Sequence, residues 1–522
     1  MRPPLPELDF EPTFAAAIRR AGARFGDDDF IVLPDERLSF ADVEVRSRQL
    51  AKRLVAAGVG KGTRVGLFFT YSTEFVVTWV AAMRIGALVM PFSSIYKPAE
   101  LQTVLRIGDV ALLLAAPSML GKDMQVFLEE AVPGLAGAEG RELFLDELPY
   151  LRRVWLTGSS DRAWATEVGL GPDDPGGGVS DDLLERIEAE VVPADWAQVT
   201  YTSGSSAEPK GVVHSHGAIL RSTSPQAMAA AATTAALGDR TAIFCAFPFF
   251  WIGGTLVLGL AIQSGATVCV VPRFEPGPAI ELIAREGCSA VMAWPSLVQS
   301  MRVHPSFADH DFSSILSLAD PSTAAVAGSP RPGTPWHRGM SETVGVWNGI
   351  ERKVVDPETG ATMDDLVDGE LWIRGWGALQ GYYKKEREDT FDADGWLHTG
   401  DRVFLYENRA FFVGRFYEMI KSQGANVSPR EVEVLLESYP EVEHALVFGL
   451  PHPELEEEVT AIIVPTPGSV VDVAALQARA RKDVSSYKVP TRIEVWDDED
   501  RIPWLGSGKP DKLAVRQLLL EP

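Results

Sequence analysis

Cysteine is scarce: 522 residues hold three, Cys245, Cys269 and Cys288, each inside an apolar stretch and none at metal-ligand spacing. That excludes a disulfide framework and a Cys/His metal centre, and it fits reduced core residues in the cytoplasm. Positive charge is short as well. Lys and Arg number 48 against 72 Asp and Glu, a net charge of −24, which opposes broad attraction to nucleic acid or to an anionic membrane. An anionic small substrate would have to rely on a few placed cations, backbone N–H groups or a metal. The first residues, MRPPLPELDFEP, have neither a basic n-region nor an apolar h-region, so no secretion signal is expected. The long charge-free run, residues 241–272, is cut by Pro248, Gly253-Gly254 and Gly265. It reads as a buried helix between two core strands and not as a membrane span. A Walker A loop is missing too, since Gly60-Lys61-Gly62 fails GxxxxGK[ST] at both ends. There is no internal repeat, coiled coil or low-complexity tail.

What the chain does have is a series of α/β units. Residues 38–60 place Val43, Leu50, Leu54 and Val55 near helical spacing and end at glycines. RVGLFF then reads as a strand, STEFVVTWVAAMRIGA as a helix and LVMPF as a strand. AQVTYT (197–202), ATVCVVP (266–272) and SAVMAWP (289–295) continue the series. Helices alternating with apolar strands imply a parallel sheet covered on both faces. The last stretch differs: strands at 444–450 and 458–465 with helices at 429–438 and 473–484 suggest a small α+β unit joined near Gly414-Arg415. The expected fold class is α/β: a large multi-layer N-terminal domain with parallel sheets, residues 1–413, and an α+β C-terminal lid, residues 414–522.

The sharpest local signal is Tyr201-Thr202-Ser203-Gly204-Ser205-Ser206-Ala207-Glu208-Pro209-Lys210-Gly211. A strand runs into a turn of small hydroxyl residues and then a lysine. Backbone N–H groups and hydroxyls there can wrap a phosphate while Lys210 supplies charge; a plain Ser/Gly surface loop has the same composition.

YTSGSSAEPKGVVHSH resembles the TSGTTGxPKG loop of the adenylate-forming superfamily, which includes acyl-CoA synthetases, peptide-synthetase adenylation domains and luciferases. Four further segments match in order. Gly339-Met340-Ser341-Glu342-Thr343 resembles the GxTE segment, and residues 369–401 the GEL…TGD block. Residues 414–433 resemble the domain junction, and GSGKPDK (506–512) the terminal lysine motif. The resemblance covers nearly the whole chain, residues 38–115 included, and implies that the lid is mobile. It also implies a two-step reaction. A carboxylate attacks the α-phosphate of ATP to give acyl-AMP, and a thiol, CoA, then displaces AMP.

By the same resemblance, Ser203, Gly204, Ser205, Ser206 and Ser341 line the nucleotide, Asp401 accepts the ribose hydroxyls and Arg415 sits near ribose and phosphate. Glu342 holds the Mg²⁺ that accompanies ATP. Lys509 approaches the α-phosphate from the lid, and Lys210 and Lys421 complete the catalytic candidates. Tyr417 falls at the lid hinge, Trp251 beside the acyl group, and Gly424 and Asn426 on the thiol path. No prosthetic group is implied. Taken alone, each has a plainer reading: Asp401 ends a strand, Glu342 starts a helix, Lys509 and Lys421 are solvated lysines, and Tyr417 and Trp251 are packing aromatics.

The departures from the family pattern gather on the first half-reaction. Ala207 adds a Cβ where the phosphate loop usually has glycine, and residues 318–342 lack the paired glycines expected upstream of Glu342. The stretch after Glu342 also lacks its usual glycines; Trp251 replaces an aromatic-His position and Tyr417 a hinge Asp or Lys. Three readings follow: a complete acyl-CoA ligase; an enzyme that takes acyl-AMP from an adenylating partner and only forms the thioester; and one that loads a carrier-protein thiol. Arg479, Arg481, Lys482 and Lys488 would serve either anionic thiol donor. The trimmed loops favour a bulky acid, of the kind found in secondary metabolism, over a straight chain. A non-catalytic binder fits the joint presence of Asp401, Arg415 and Lys509 poorly.

Overall fold

The computed structural model describes residues 5–520 apart from 174, 203–208, 225–240, 314, 316–317, 319–340, 343–348, 358, 407–408, 416–418, 497–501 and 504–511. Helix Phe40–Ala56 starts at a reciprocal cap: Ser39 Oγ accepts from Asp42 N and the Asp42 carboxylate accepts from Ser39 N, both at 3.0 Å. Two donors that the helix cannot satisfy itself are thereby paired. Its Val43, Leu50 and Leu54 are buried, whereas Val55 is only partly so. Helix Thr73–Arg84 is buried on nearly every side, which explains its lack of a polar face. At its end the enclosed Arg84 donates to Glu188 Oε1 at 2.6 Å and to Glu44 Oε1 at 3.2 Å, so a buried cation is matched by carboxylates.

The α/β units do not form one sheet. An eight-stranded sheet runs in the order Gly381–Tyr382, Lys210–Ser215, Trp196–Thr202, Leu88–Pro91, Arg64–Phe68, Leu112–Ala115, Arg153–Leu156 and Ala165–Glu167. From Trp196–Thr202 onward it is parallel, while Lys210–Ser215 returns antiparallel. The strands expected at 266–272 and 289–295 join a second sheet instead. There Ala290–Met292, Ala242–Cys245, Thr267–Cys269 and Asp29–Val32 lie parallel. Apolar runs fix burial but not which sheet a strand enters; here Thr267–Cys269 pairs with Asp29–Val32, and Arg37–Ser39 closes that edge antiparallel.

A third, wholly antiparallel sheet of Ser341–Glu342, Arg409–Arg415, Leu397–Tyr406, Gly369–Arg374 and Glu351–Val355 was not foreseen from the α/β pattern. The expected boundary at 413/414 falls inside its Arg409–Arg415 strand, where Gly414 and Arg415 still pair with Arg402 and Asp401.

The charge-free run resolves into strand Ala242–Cys245, the 13-residue helix Ile252–Ser264 and strand Thr267–Cys269. At 1.5 Å per residue that helix is about 20 Å long, short of a bilayer core. Among the described residues no helix is long and apolar enough to cross a membrane. All three cysteines are free and buried.

The lid sheet pairs Val442–His452 with Glu456–Pro465 and adds Ile420–Ser422, Ala425–Val427 and, in parallel, Arg492–Val495. Helix Pro429–Glu437 packs Val432 and Leu436 on one face. Trp496, Ile502 and Val515 of helix Lys512–Leu520 pack on the other.

Candidate functional site

A cavity of about 760 Å³ opens between the large domain and the lid. Its floor is strand Trp196–Thr202, through Thr200, Tyr201 and Thr202. One wall is helix Ile252–Ser264, through Ile252, Leu256 and Leu260, and another is the helix at 216–224, through Ile219 and Ser222. Aromatic side chains line part of it. Trp294 meets Phe247 edge-on at 4.8 Å between ring centroids and Trp251 at 6.1 Å, a T-shaped grouping that favours rigidity. A largely apolar space with a few polar groups in its lining suits the binding of an organic acid.

The lid enters this cavity as a hairpin. Strands Ile420–Ser422 and Ala425–Val427 are joined by two residues, Gln423 at φ 54° and Gly424 at φ 76°. Two left-handed residues in succession make the tight turn whose twist matches a two-stranded ribbon. A Cβ on Gly424 would lie 3.0 Å from Trp294 Cδ1, so the turn sits against the aromatic wall without room for a side chain. Gly424, Ala425 and Asn426 all line the cavity, as does Trp251. None of the described residues from Arg492 to Leu520 does.

Below the hairpin a buried charge cluster joins the domains. Lys488 Nζ donates to Glu100 Oε1 and to Glu431 Oε1, both at 2.7 Å. Ser485 Oγ donates to Glu100 Oε2 at 2.6 Å and stands 3.0 Å from the Ile95 carbonyl. Glu100 also caps its own helix, accepting from Lys97 N at 2.8 Å. Burial raises the Glu431 carboxyl above its ordinary range, opposed by the Lys488 ammonium beside it. Burial would lower the Lys488 pKa, but Tyr487 and the two carboxylates outweigh it and raise it. Lys488 is therefore spoken for and is not available to an anionic thiol donor, contrary to expectation. Arg479 is likewise engaged, with Glu441 at 2.9 Å and over the Tyr439 ring. Arg481 and Lys482 remain exposed. The spacing of Lys488 and Glu100 along the chain left no local signal for their pairing.

The other expected residues fall on three sheets. Asp401 and Arg415 face each other as Cα partners on adjacent antiparallel strands. Asp401 N donates to Thr399 Oγ1 at 3.1 Å, and Gly400 N to Glu370 Oε1 at 2.9 Å, which fixes the TGD turn. Ser341 and Glu342 pair with Phe412 and Phe411 of the strand that carries Arg415. Four expected nucleotide contacts thus share one antiparallel sheet. Lys210 begins its strand opposite Thr202, its Nζ 5.4 Å from the Tyr382 ring centroid. Lys421 is exposed, its N–H donating to Glu457 Oε2 at 2.9 Å, and it does not line the cavity. Ser203, Gly204, Ser205, Ser206, Tyr417 and Lys509 lie outside the described residues.

A family model for AMP-binding enzymes matches residues 18–338, and one for the AMP-binding enzyme C-terminal domain matches residues 431–509. The chain belongs to the AMP-binding enzyme family. This adenylate-forming protein is an enzyme of the acid–thiol ligase type. Among curated relatives it is similar to 4-coumarate–CoA ligase 5 of Oryza sativa subsp. japonica, 28% identical over 91% of this chain and 88% of the relative. It is equally similar to the Mycobacterium tuberculosis CoA ligase named for a methyl-dioxo-octahydro-indenyl propanoyl group, 28% identical over 97% and 99% of the two chains. The fold matches that of the amide bond synthetase McbA from Marinactinospora thermotolerans at a TM-score of 0.73, with 22% identity and 97% and 99% coverage.

Proposed function

We propose that this AMP-binding enzyme forms an acyl-CoA thioester from a bulky carboxylic acid through an acyl-adenylate. The observation that carries the reading is the lid hairpin. Its glycine turn lines the same cavity as Trp251 and Trp294, so a thiol arriving along the lid meets an acyl group held against the aromatic wall. The names of the two CoA-ligase relatives support it. In the first half-reaction the substrate carboxylate is itself the nucleophile, so the protein's task is positioning and charge neutralisation on the phosphoryl group. Asp401 would accept the ribose hydroxyls, Arg415 and Lys210 would sit by the phosphates, and ATP would arrive with Mg²⁺ at Glu342. In the second, the CoA sulfur attacks the acyl carbon and AMP leaves with the bonding pair. Three free thiols in the core favour the cytoplasm.

The sequence departures around Ala207 and upstream of Glu342 favour a second reading, in which a partner enzyme supplies the acyl-AMP and only the thioester step occurs here. ATP–pyrophosphate exchange with Lys509→Ala separates the two. For a complete ligase, exchange falls by about 10²-fold or more, as for loss of a preorganised charge at the phosphoryl centre. Conversion of supplied acyl-AMP survives. For the thioester-only enzyme, wild type shows no exchange with the acid whose adenylate it turns over. An enzyme that does neither contradicts both readings.

A further inference from the structure

Strand Lys210–Ser215 carries His214, and His216 follows at the start of the next helix; the two rings have different surroundings. The His216 ring is a core element: Nδ1 accepts from Phe14 N at 3.4 Å and the ring lies 5.7 Å from that of Phe14. His214 lines the cavity. Among the described residues no group hydrogen-bonds its ring, and burial alone holds its pKa down to about 4. It is thus a neutral imidazole, with one nitrogen to donate and one to accept. The charged side chains around the same cavity, Glu100, Glu431 and Lys488, are bonded to one another, and Thr200 accepts from Gln198. A half-buried imidazole without a partner among the described residues, beside a largely apolar cavity, can give its hydrogen bonds to a ligand's polar group.

Its position sets the distance. His214 pairs with Gln198 and Lys210 with Thr202, on one face of the same two strands. Four residues of strand separate them, about 13 Å at 3.3 Å per residue. On the acyl-adenylate reading the phosphate end of the site is at Lys210 and Thr202, and His214 is at the far end, where the strand enters the helix at 216.

Resting on the acyl-adenylate reading above, we infer that His214 is a specificity-determining residue. Its ring hydrogen-bonds a hydroxyl or carbonyl at the end of the acid remote from the carboxylate. The acid class is then a ring-bearing acid with a distal oxygen substituent, and straight-chain fatty acids are poor substrates. A site built around such a hydrogen bond discriminates strongly against the analogue that lacks it.

The test uses sulfamoyl-adenosine conjugates in two matched pairs: cinnamic with para-hydroxycinnamic acid, and naphthoic with a distal hydroxynaphthoic acid. Binding to the full chain is measured by calorimetry, with AMP alone as reference. Wild type should prefer the hydroxylated member of at least one pair by about tenfold or more. His214→Leu should bring the members of that pair level, and His214→Gln, which keeps a donor and an acceptor, should restore part of the preference. Thermal melting of both variants identifies a folding defect. No preference in either pair, or a preference that His214→Leu leaves unchanged, overturns the inference while binding of AMP leaves the parent reading standing. Failure of AMP and of every conjugate to bind overturns that reading as well.

Discussion

Gly424→Leu should abolish thioester formation while leaving the affinity for an acyl-AMP mimic near that of wild type. Gly424 holds φ at 76°, a region that branched and bulky side chains avoid. Its missing Cβ would already press on the Trp294 ring at 3.0 Å. A leucine there has two ways out, and both stop the thiol: the hairpin backs out of the cavity, or the side chain occupies the thiol's approach along the lid. Misplacement of a reacting partner by about 1 Å costs on the order of 10²-fold, and a blocked path costs more. The ribose contacts expected at Asp401 and Arg415 stand on a different sheet and should not feel the change. Transfer rate and mimic affinity, measured on the same preparation, check this; equal loss of both means that the lid or the fold was damaged.

Lys488→Met should have the second large effect. The ammonium lies between Glu100 of the large domain and Glu431 of the lid, with hydrogen bonds of 2.7 Å to each. Removing one partner of a buried ion pair costs about 3–5 kcal/mol, because the remaining charge is stranded. Here two carboxylates would face each other across the domain boundary, and the strain is relieved when the lid undocks. Thioester formation should therefore fall by roughly 10²-fold or more, with exchange at the adenylation step little changed. The pH dependence has a definite sign. Burial already raises the Glu431 carboxyl, and loss of the cation raises it further, so one carboxyl takes up a proton as pH falls. The variant's defect should shrink toward acid pH. Glu100→Gln added to Lys488→Met should recover part of the rate at neutral pH. A defect independent of pH and unrelieved by the double substitution would mean that Lys488 does not act through charge.

Much of this architecture was legible in the sequence where periodicity decided the matter. Val43, Leu50 and Leu54 mark a helix by their spacing, and strands Arg64–Phe68 and Leu88–Pro91 follow from short apolar runs bounded by turns. The broken 241–272 segment likewise reads correctly as strand, helix and strand. Sheet membership was not legible, because a buried apolar strand carries the same pattern in either parallel sheet. The antiparallel sheet that holds Asp401 and Arg415 was hidden for a related reason: its strands are partly polar and lie between long connections. Motif order brought Trp251, Gly424 and Asn426 to attention, and all three line one cavity. His214 and the Lys488–Glu100–Glu431 cluster were missed as a site. Each residue is ordinary within its own segment, and only tertiary packing gives one an unpaired ring and the others a shared charge.

The central claim is that this cavity and its hairpin form a thioester. A single-turnover measurement tests it most directly, with wild-type protein in excess over a synthetic ring-bearing acyl-AMP, mixed with CoA and sampled for acyl-CoA and AMP. The account predicts acyl-CoA and AMP in equal amounts, at a rate far above that without protein. An acyl-AMP that binds tightly yet transfers to CoA no faster than it does in buffer would contradict it.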